Sequence, residues 1–236
     1  MKLSGALKFV SAIFSTQRGT RRRSRNALVR TESLESRLLL VAGSTVTANI
    51  VSKNLTIEGT NLSDELQIGW LNGSSSSNQV VVSKQGKLVG QFSRSDITLI
   101  RVHVYGGNDQ VTNLTSIPMA ASGGLGNDTL KGGSSGDWLN GEAGSDVLAG
   151  GSGDDRYDFG NAASLETDIV SESANGGIDT LNFSALTTSV GLRLDFSTPQ
   201  KVNTNRTLQL SSGNVIENAT EDQPRIRWVG MDLTIF

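Results

Sequence analysis

The chain has 236 residues, 27 glycines, three prolines and 36% hydrophobic residues, a composition that suits a thin solenoid better than a thick globular core. It has no cysteine, which excludes disulfides, a thiol nucleophile and a cysteine-rich zinc site, and a single histidine, which excludes a two-histidine zinc protease motif. The net charge of −2 divides unevenly: residues 1–40 carry nine Lys/Arg against two Asp/Glu, and residues 41–236 carry 12 against 21, so the body is acidic and unsuited to a nucleic-acid partner.

Residues 1–43 read as an export leader outside the fold. Lys2 and Lys8 precede a short apolar stretch from Phe9 to Phe14, and the run Arg21-Arg22-Arg23-Ser24-Arg25 follows. Alone, that run would suit an RNA- or membrane-binding arm, but its position favours targeting. The string Leu34-Glu35-Ser36-Arg37-Leu38-Leu39-Leu40-Val41-Ala42 resembles the L-E-x-R-x-L-L leader of many exported planctomycete proteins. A standard secretory signal fits less well, because Arg and Glu interrupt its apolar core. A twin-arginine signal lacks a long apolar segment after it. No stretch reaches the ~18–20 apolar residues that span a bilayer.

Residues 44–121 predict an all-β lead-in with degenerate repeats. Val46, Ile50, Leu55-Thr56-Ile57, Leu66-Gln67-Ile68 and Val80-Val81-Val82 supply strand patterns, and Asn72-Gly73 and Gln85-Gly86 mark turns. Gly59 to Leu66 reads as a worn repeat with Asp64 at its sixth position. Arg101-Val102-His103-Val104 is a strand, with His103 on its surface or half-buried. Gly106-Gly107-Asn108-Asp109-Gln110-Val111 is a better half-repeat. Asp109 lies 19 residues before Asp128, and a one-residue insertion such as Ser122 would bring it to the same edge, making it an additional metal ligand. Ile117 to Ala121 is a strand, with Pro118 tolerable only near an end or edge.

The strongest signal occupies residues 122–160. Four nine-residue units, GGLGNDTLK (123–131), GGSSGDWLN (132–140), GEAGSDVLA (141–149) and GGSGDDRYD (150–158), each carry aspartate at the sixth position: Asp128, Asp137, Asp146 and Asp155. Their eighth positions are Leu130, Leu139, Leu148 and Tyr157, predicted to point into the core. A flexible Gly/Ser linker would not hold such a period. The pattern G-G-x-G-x-D-x-U-x resembles the RTX, or haemolysin-type, calcium-binding repeat.

The resemblance implies a parallel β-roll, an all-β solenoid, with two units per coil. It implies that Asp128 and Asp146 share a calcium ion on one edge and Asp137 and Asp155 share one on the other. Carbonyls of Gly123, Gly124, Gly126, Gly132, Gly133, Gly141, Gly144, Gly150, Gly151 and Gly153 would complete the shells, since calcium takes six to eight oxygen ligands. The glycines allow backbone angles that a Cβ forbids.

Residues 161–236 form a β-rich closing segment. Asp168-Ile169-Val170-Ser171-Glu172 followed by Gly176-Gly177-Ile178-Asp179-Thr180-Leu181-Asn182-Phe183-Ser184 resembles the segment that closes RTX blocks. Asp168, Glu172 and Asp179 are there either ligands of a further ion or solvated strand-end carboxylates. Residues 188–218 continue as strands, with alternation from Val190 to Phe196. Beyond Glu217 the repeat pattern stops. The end Asp232 to Phe236 resembles the tail of type I secretion substrates, although a shortened family member is the favoured reading.

Gly132-Gly133-Ser134-Ser135-Gly136 satisfies G-x-S-x-G, but that elbow needs a strand before it, a helix after it and a downstream histidine, whereas His103 lies upstream. A carboxylate-pair glycosidase would find its Asp residues already committed to metal loops. The expectation is therefore no enzyme, but a secreted or cell-surface bacterial β-solenoid that calcium folds and stabilises, with a structural or adhesive role. The alternative is a module of a larger secreted hydrolase or RTX toxin; residues 44–121 lack a toxin's membrane-active region. A cell-surface, polysaccharide or self-association partner is left open.

Overall fold

The structure, a computed structural model, describes residues 45–172, 176–195, 197–211 and 216–220. The expected leader, Phe196 and the terminal string Asp232 to Phe236 lie outside the described residues. In chain order the strands are β1 Thr47–Val51, β2 Asn54–Glu58, β3 Glu65–Trp70, β4 Gln79–Lys84, β5 Lys87–Ser93, β6 Leu99–His103, β7 Gln110–Asn113, β8 Met119–Leu125 and β9 Thr129–Lys131. They continue as β10 Trp138–Ala143, β11 Val147–Ala149, β12 Arg156–Asp158, β13 Glu166–Val170, β14 Thr180–Asn182, β15 Gln200–Lys201, β16 Arg206–Leu210 and β17 Asn218–Thr220.

They form two sheets, ordered β1-β2-β6-β8-β10-β12-β14-β17 and β15-β16-β13-β11-β9-β7-β3-β4-β5. From β6 to β14 successive strands alternate between the sheets, and each pairs in parallel with the strand one coil away. This is the parallel all-β solenoid expected of the nonapeptides, and the same two sheets run beyond residues 122–160 in both directions. Among the described residues antiparallel pairing is confined to β1–β2, β3–β4–β5 and β15–β16.

Every eighth position builds the core because strand side chains alternate between faces. Leu66, Val111, Leu130, Leu148, Val170 and Leu210 lie opposite one another across the second sheet. Ile57, Val102, Ala121, Leu139, Tyr157 and Leu181 do the same across the first. All these residues are buried. Asn72-Gly73 and Gln85-Gly86 adopt positive φ, as their turns require, and so does Ser52-Lys53, the tight turn between β1 and β2.

Two expectations need correction. The residue that lengthens the coil between Asp109 and Asp128 is not Ser122, which sits in regular register opposite His103 and Asn140. Asp137 aligns with Met119, and Asp109 to Met119 is ten residues where Asp128 to Asp137 is nine. The extra residue therefore lies in the turn between β7 and β8, which Asn113 and Thr115 close: Asn113 Oδ1 accepts bonds from the Thr115 N–H (3.0 Å) and hydroxyl (2.7 Å). Second, Val190, Leu192 and Leu194 are buried in alternation, but residues 188–195 form no strand; β15 and β16 carry the local pairing. Of the two readings left open for Asp168, Glu172 and Asp179, the solvated strand end does not hold, for all three are buried.

Candidate metal sites

Both edges of the solenoid carry a continuous carboxylate ladder. On edge one the backbone N–H of each aspartate donates to Oδ1 of the next: Asp64 to Asp109 (2.6 Å), Asp109 to Asp128 (2.8 Å), Asp128 to Asp146 (2.8 Å) and Asp146 to Asp168 (3.1 Å). On edge two Met119 donates to Asp137 (2.6 Å), Asp137 to Asp155 (2.7 Å), Asp155 to Asp179 (3.0 Å) and Asp179 to Glu217 Oε2 (2.8 Å). The structure thus brings together Asp128 with Asp146 and Asp137 with Asp155, and adds Asp109 to the first row. It separates Asp168, on edge one, from Asp179 on edge two.

The second carboxylate oxygen is what distinguishes the sites. Oδ2 of Asp109, Asp128, Asp146 and Asp155 is buried and accepts no hydrogen bond, whereas Oδ2 of Asp137 takes the Gly133 N–H (2.6 Å). A buried carboxylate oxygen without a donor or cation is costly. Burial accordingly pushes Asp109, Asp146 and Asp155 up to about 7, and Asp137 up to about 6. Neighbouring carboxylates add to the rise at Asp109, Asp146 and Asp155. Burial raises Asp128 too, with the Glu142 charge contributing.

The glycines around these oxygens play two roles. Gly123, Gly132, Gly141 and Gly150 have no positive φ; a Cβ there would meet Oδ2 of the aspartate in the same unit. At Gly123 it would also lie 2.7 Å from the Gly141 carbonyl oxygen of the next coil. These residues preserve a space lined by carboxylate and carbonyl oxygens, the hard donors that suit calcium. Gly124, Gly126, Gly144, Gly151 and Gly153 have positive φ, and Glu142 accepts the same conformation (φ 69°) in place of a second-position glycine.

Each end of edge one carries a built-in cation. Asp64 receives the Thr60 N–H (2.7 Å) and an ion pair from Lys84. At the other end Arg206, 3% exposed, forms ion pairs with Glu166 and Asp168, reaches the Gly160 carbonyl (3.2 Å) and lies 5.3 Å from the centre of the Phe159 ring. Sequence reasoning missed Lys84, Glu166 and Arg206, which lie outside the nine-residue period and meet the ladder only through long-range pairing. It also missed an outer ladder at the fifth positions, where Asn108 Oδ1 receives the Asn127 N–H (2.9 Å) and Asn127 Oδ1 receives the Ser145 N–H (2.8 Å). The recurrence of small polar residues before the edge-one aspartates, Ser63, Asn108, Asn127 and Ser145, was its signal.

Gly132 to Gly136 spans the loop between β9 and β10, without a following helix, and His103 is exposed on β6. Among the described residues no helix is long and apolar enough to cross a membrane.

The family model of the RTX calcium-binding nonapeptide repeat matches residues 122–157 in four copies. No curated protein and no solved structure matches the chain at a significant level. The donor chemistry and the repeat match agree: residues 122–157 are RTX calcium-binding nonapeptide repeats, set within a longer two-sheet solenoid.

Proposed function

We propose that the chain is a secreted or cell-surface β-solenoid with a structural or adhesive role, in which calcium does structural rather than catalytic work. The observation that carries this reading is the set of buried Oδ2 atoms on Asp109, Asp128, Asp146 and Asp155, which the protein itself leaves without a hydrogen bond. Asp128 with Asp146, extended by Asp109, would hold ions on edge one, and Asp137 with Asp155 on edge two. Carbonyls of the loop glycines would complete the shells. Bound calcium supplies positive charge between successive coils. The chain's residues do the rest: Oδ1 fixes the neighbouring loop through its N–H, and the first-position glycine keeps the space open. Without the ion, stacked aspartates repel one another and weaken the compact state. Binding to the native state alone stabilises it, so metal affinity becomes folding free energy.

Isothermal titration of the full chain with calcium tests the assignment. Wild type is expected to bind several ions with heat that includes folding, and the Asp128→Asn/Asp146→Asn double variant to lose ions from edge one while retaining those of edge two. Equal stoichiometry in the two proteins would refute the ligand assignment. Absence of catalysis belongs to the same reading, and turnover of an ester or glycoside that Ser134→Ala or a carboxylate replacement abolishes would contradict it.

A further inference from the structure

We propose that Glu172 joins Asp155 and Asp179 in a three-carboxylate divalent-cation site beyond the nonapeptide repeats, binding calcium more tightly than the repeats do. The proposal rests on the calcium reading of the repeats, because Asp155 belongs to both.

The register places Glu172 where a repeat would carry its first glycine. Leu148 pairs with Val170, and two residues further on the Gly150 N–H is shared between the Tyr157 hydroxyl (2.6 Å) and Glu172 Oε1 (3.0 Å). Gly150 opens the fourth unit, so Glu172 occupies the corresponding place one coil later, ahead of Asp179 as Gly150 is ahead of Asp155. In the four units this position holds glycine, which leaves the space beside the aspartate empty; here it holds a carboxylate.

Asp155, Glu172 and Asp179 are 1%, 8% and 1% exposed, and one carboxyl oxygen from each lies within 4.8 Å of the others. Asp179 Oδ1 holds the Asp155 N–H, and Asp155 Oδ1 holds the Asp137 N–H. Asp155 Oδ2 is left without a hydrogen bond, against Gly150, the residue whose N–H Glu172 accepts. Three carboxylates converging away from water need a cation or bound protons to offset their charge, and of the cations an all-oxygen set selects a hard one such as calcium. More carboxylates in the set raise affinity for it.

The opposite edge shows how the same coil handles similar crowding. There Glu166 and Asp168 share the single positive charge of Arg206. Among the described residues no Lys or Arg pairs with Asp155 or Asp179. One edge thus meets an arginine in this coil and the other a metal site.

Calorimetric titration of the full chain with calcium, on wild type, Glu172→Gln, Glu172→Gly and Asp128→Asn, tests this. Wild type should show one ion bound at least tenfold more tightly than the rest. Both Glu172 variants should lose that tight step and keep the others; Glu172→Gly also restores the repeat residue, so it guards against a fold lost to crowding in Glu172→Gln. Asp128→Asn should keep the tight step. If both Glu172 variants titrate like wild type while Asp128→Asn loses ions, this site is refuted and the repeat reading survives. If wild type binds a single ion that the Glu172 variants abolish, the site stands and the repeat reading fails.

Discussion

Arg206→Met removes the cation that closes edge one while keeping an unbranched side chain of similar length. The guanidinium faces two carboxylates, Glu166 and Asp168, that are 5% and 1% exposed, and it lies over the Phe159 ring. Breaking one buried pair by deleting a partner costs ~3–5 kcal/mol because the remaining charge stays buried. With two carboxylates left behind and no cation over the Phe159 ring, the upper end applies, about 5 kcal/mol. For a chain of this size, with a urea slope of about 2–3 kcal/mol/M, the midpoint should fall by ~2 M. The assay is urea unfolding in saturating calcium, followed by circular dichroism. The Glu166→Gln/Asp168→Asn/Arg206→Met triple variant should recover most of the loss, since no unpaired charge remains. A loss below ~1 kcal/mol in Arg206→Met, or a triple variant no more stable than the single one, would refute the reasoning, because either result means the carboxylates do not depend on Arg206.

Leu139→Ala empties a fully buried core position between Ala121 and Tyr157 and should cost about 2–5 kcal/mol by the same unfolding assay. Gly141→Ala would press a methyl group against Asp146 Oδ2 and should weaken calcium binding on edge one, whereas Gly86→Ala, in open space at positive φ, should cost only ~1 kcal/mol and leave calcium titrations unchanged. Glu142→Gly relieves a left-handed backbone at a non-glycine residue and should raise stability by about 1 kcal/mol in the same unfolding assay, although it gives up the exposed bond with Ser122; a loss of stability would contradict the strain. In the metal-free protein, burial raises the folded-state pKa of Asp109, Asp146 and Asp155 to about 7, above the unfolded value of 3.8. Their contribution to stability is then full below the unfolded value and lost as pH rises through about 7. With a calcium chelator present, β circular dichroism should therefore be stronger at acidic than at alkaline pH; the opposite trend would contradict the burial of these groups.

The core was legible because Leu130, Leu139, Leu148 and Tyr157 recur at a fixed spacing that a two-sheet coil converts into one buried column per sheet. Asp109 was placed on the correct edge by counting residues, yet the inserted residue was not: counting conserves the length of a coil but is blind to which turn absorbs it. The turn at Ser52-Lys53 lacks the glycine or asparagine that normally announces positive φ. Asp168 and Asp179 were read together because they are near in sequence, although 11 residues is closer to a half-coil than to a whole one, so they face opposite edges. Arg206 was invisible for a related reason: its partners lie 38 and 40 residues earlier, across an irregular coil where the nine-residue period no longer operates.

The central claim is that calcium holds the coils together through the two aspartate ladders. Far-ultraviolet circular dichroism of the full chain, recorded in chelator and then with calcium restored in excess, tests it most directly. The account predicts weak β signal without calcium at neutral pH and a strong, chelator-reversible gain with it. A full β signal in chelator that calcium leaves unchanged would contradict it.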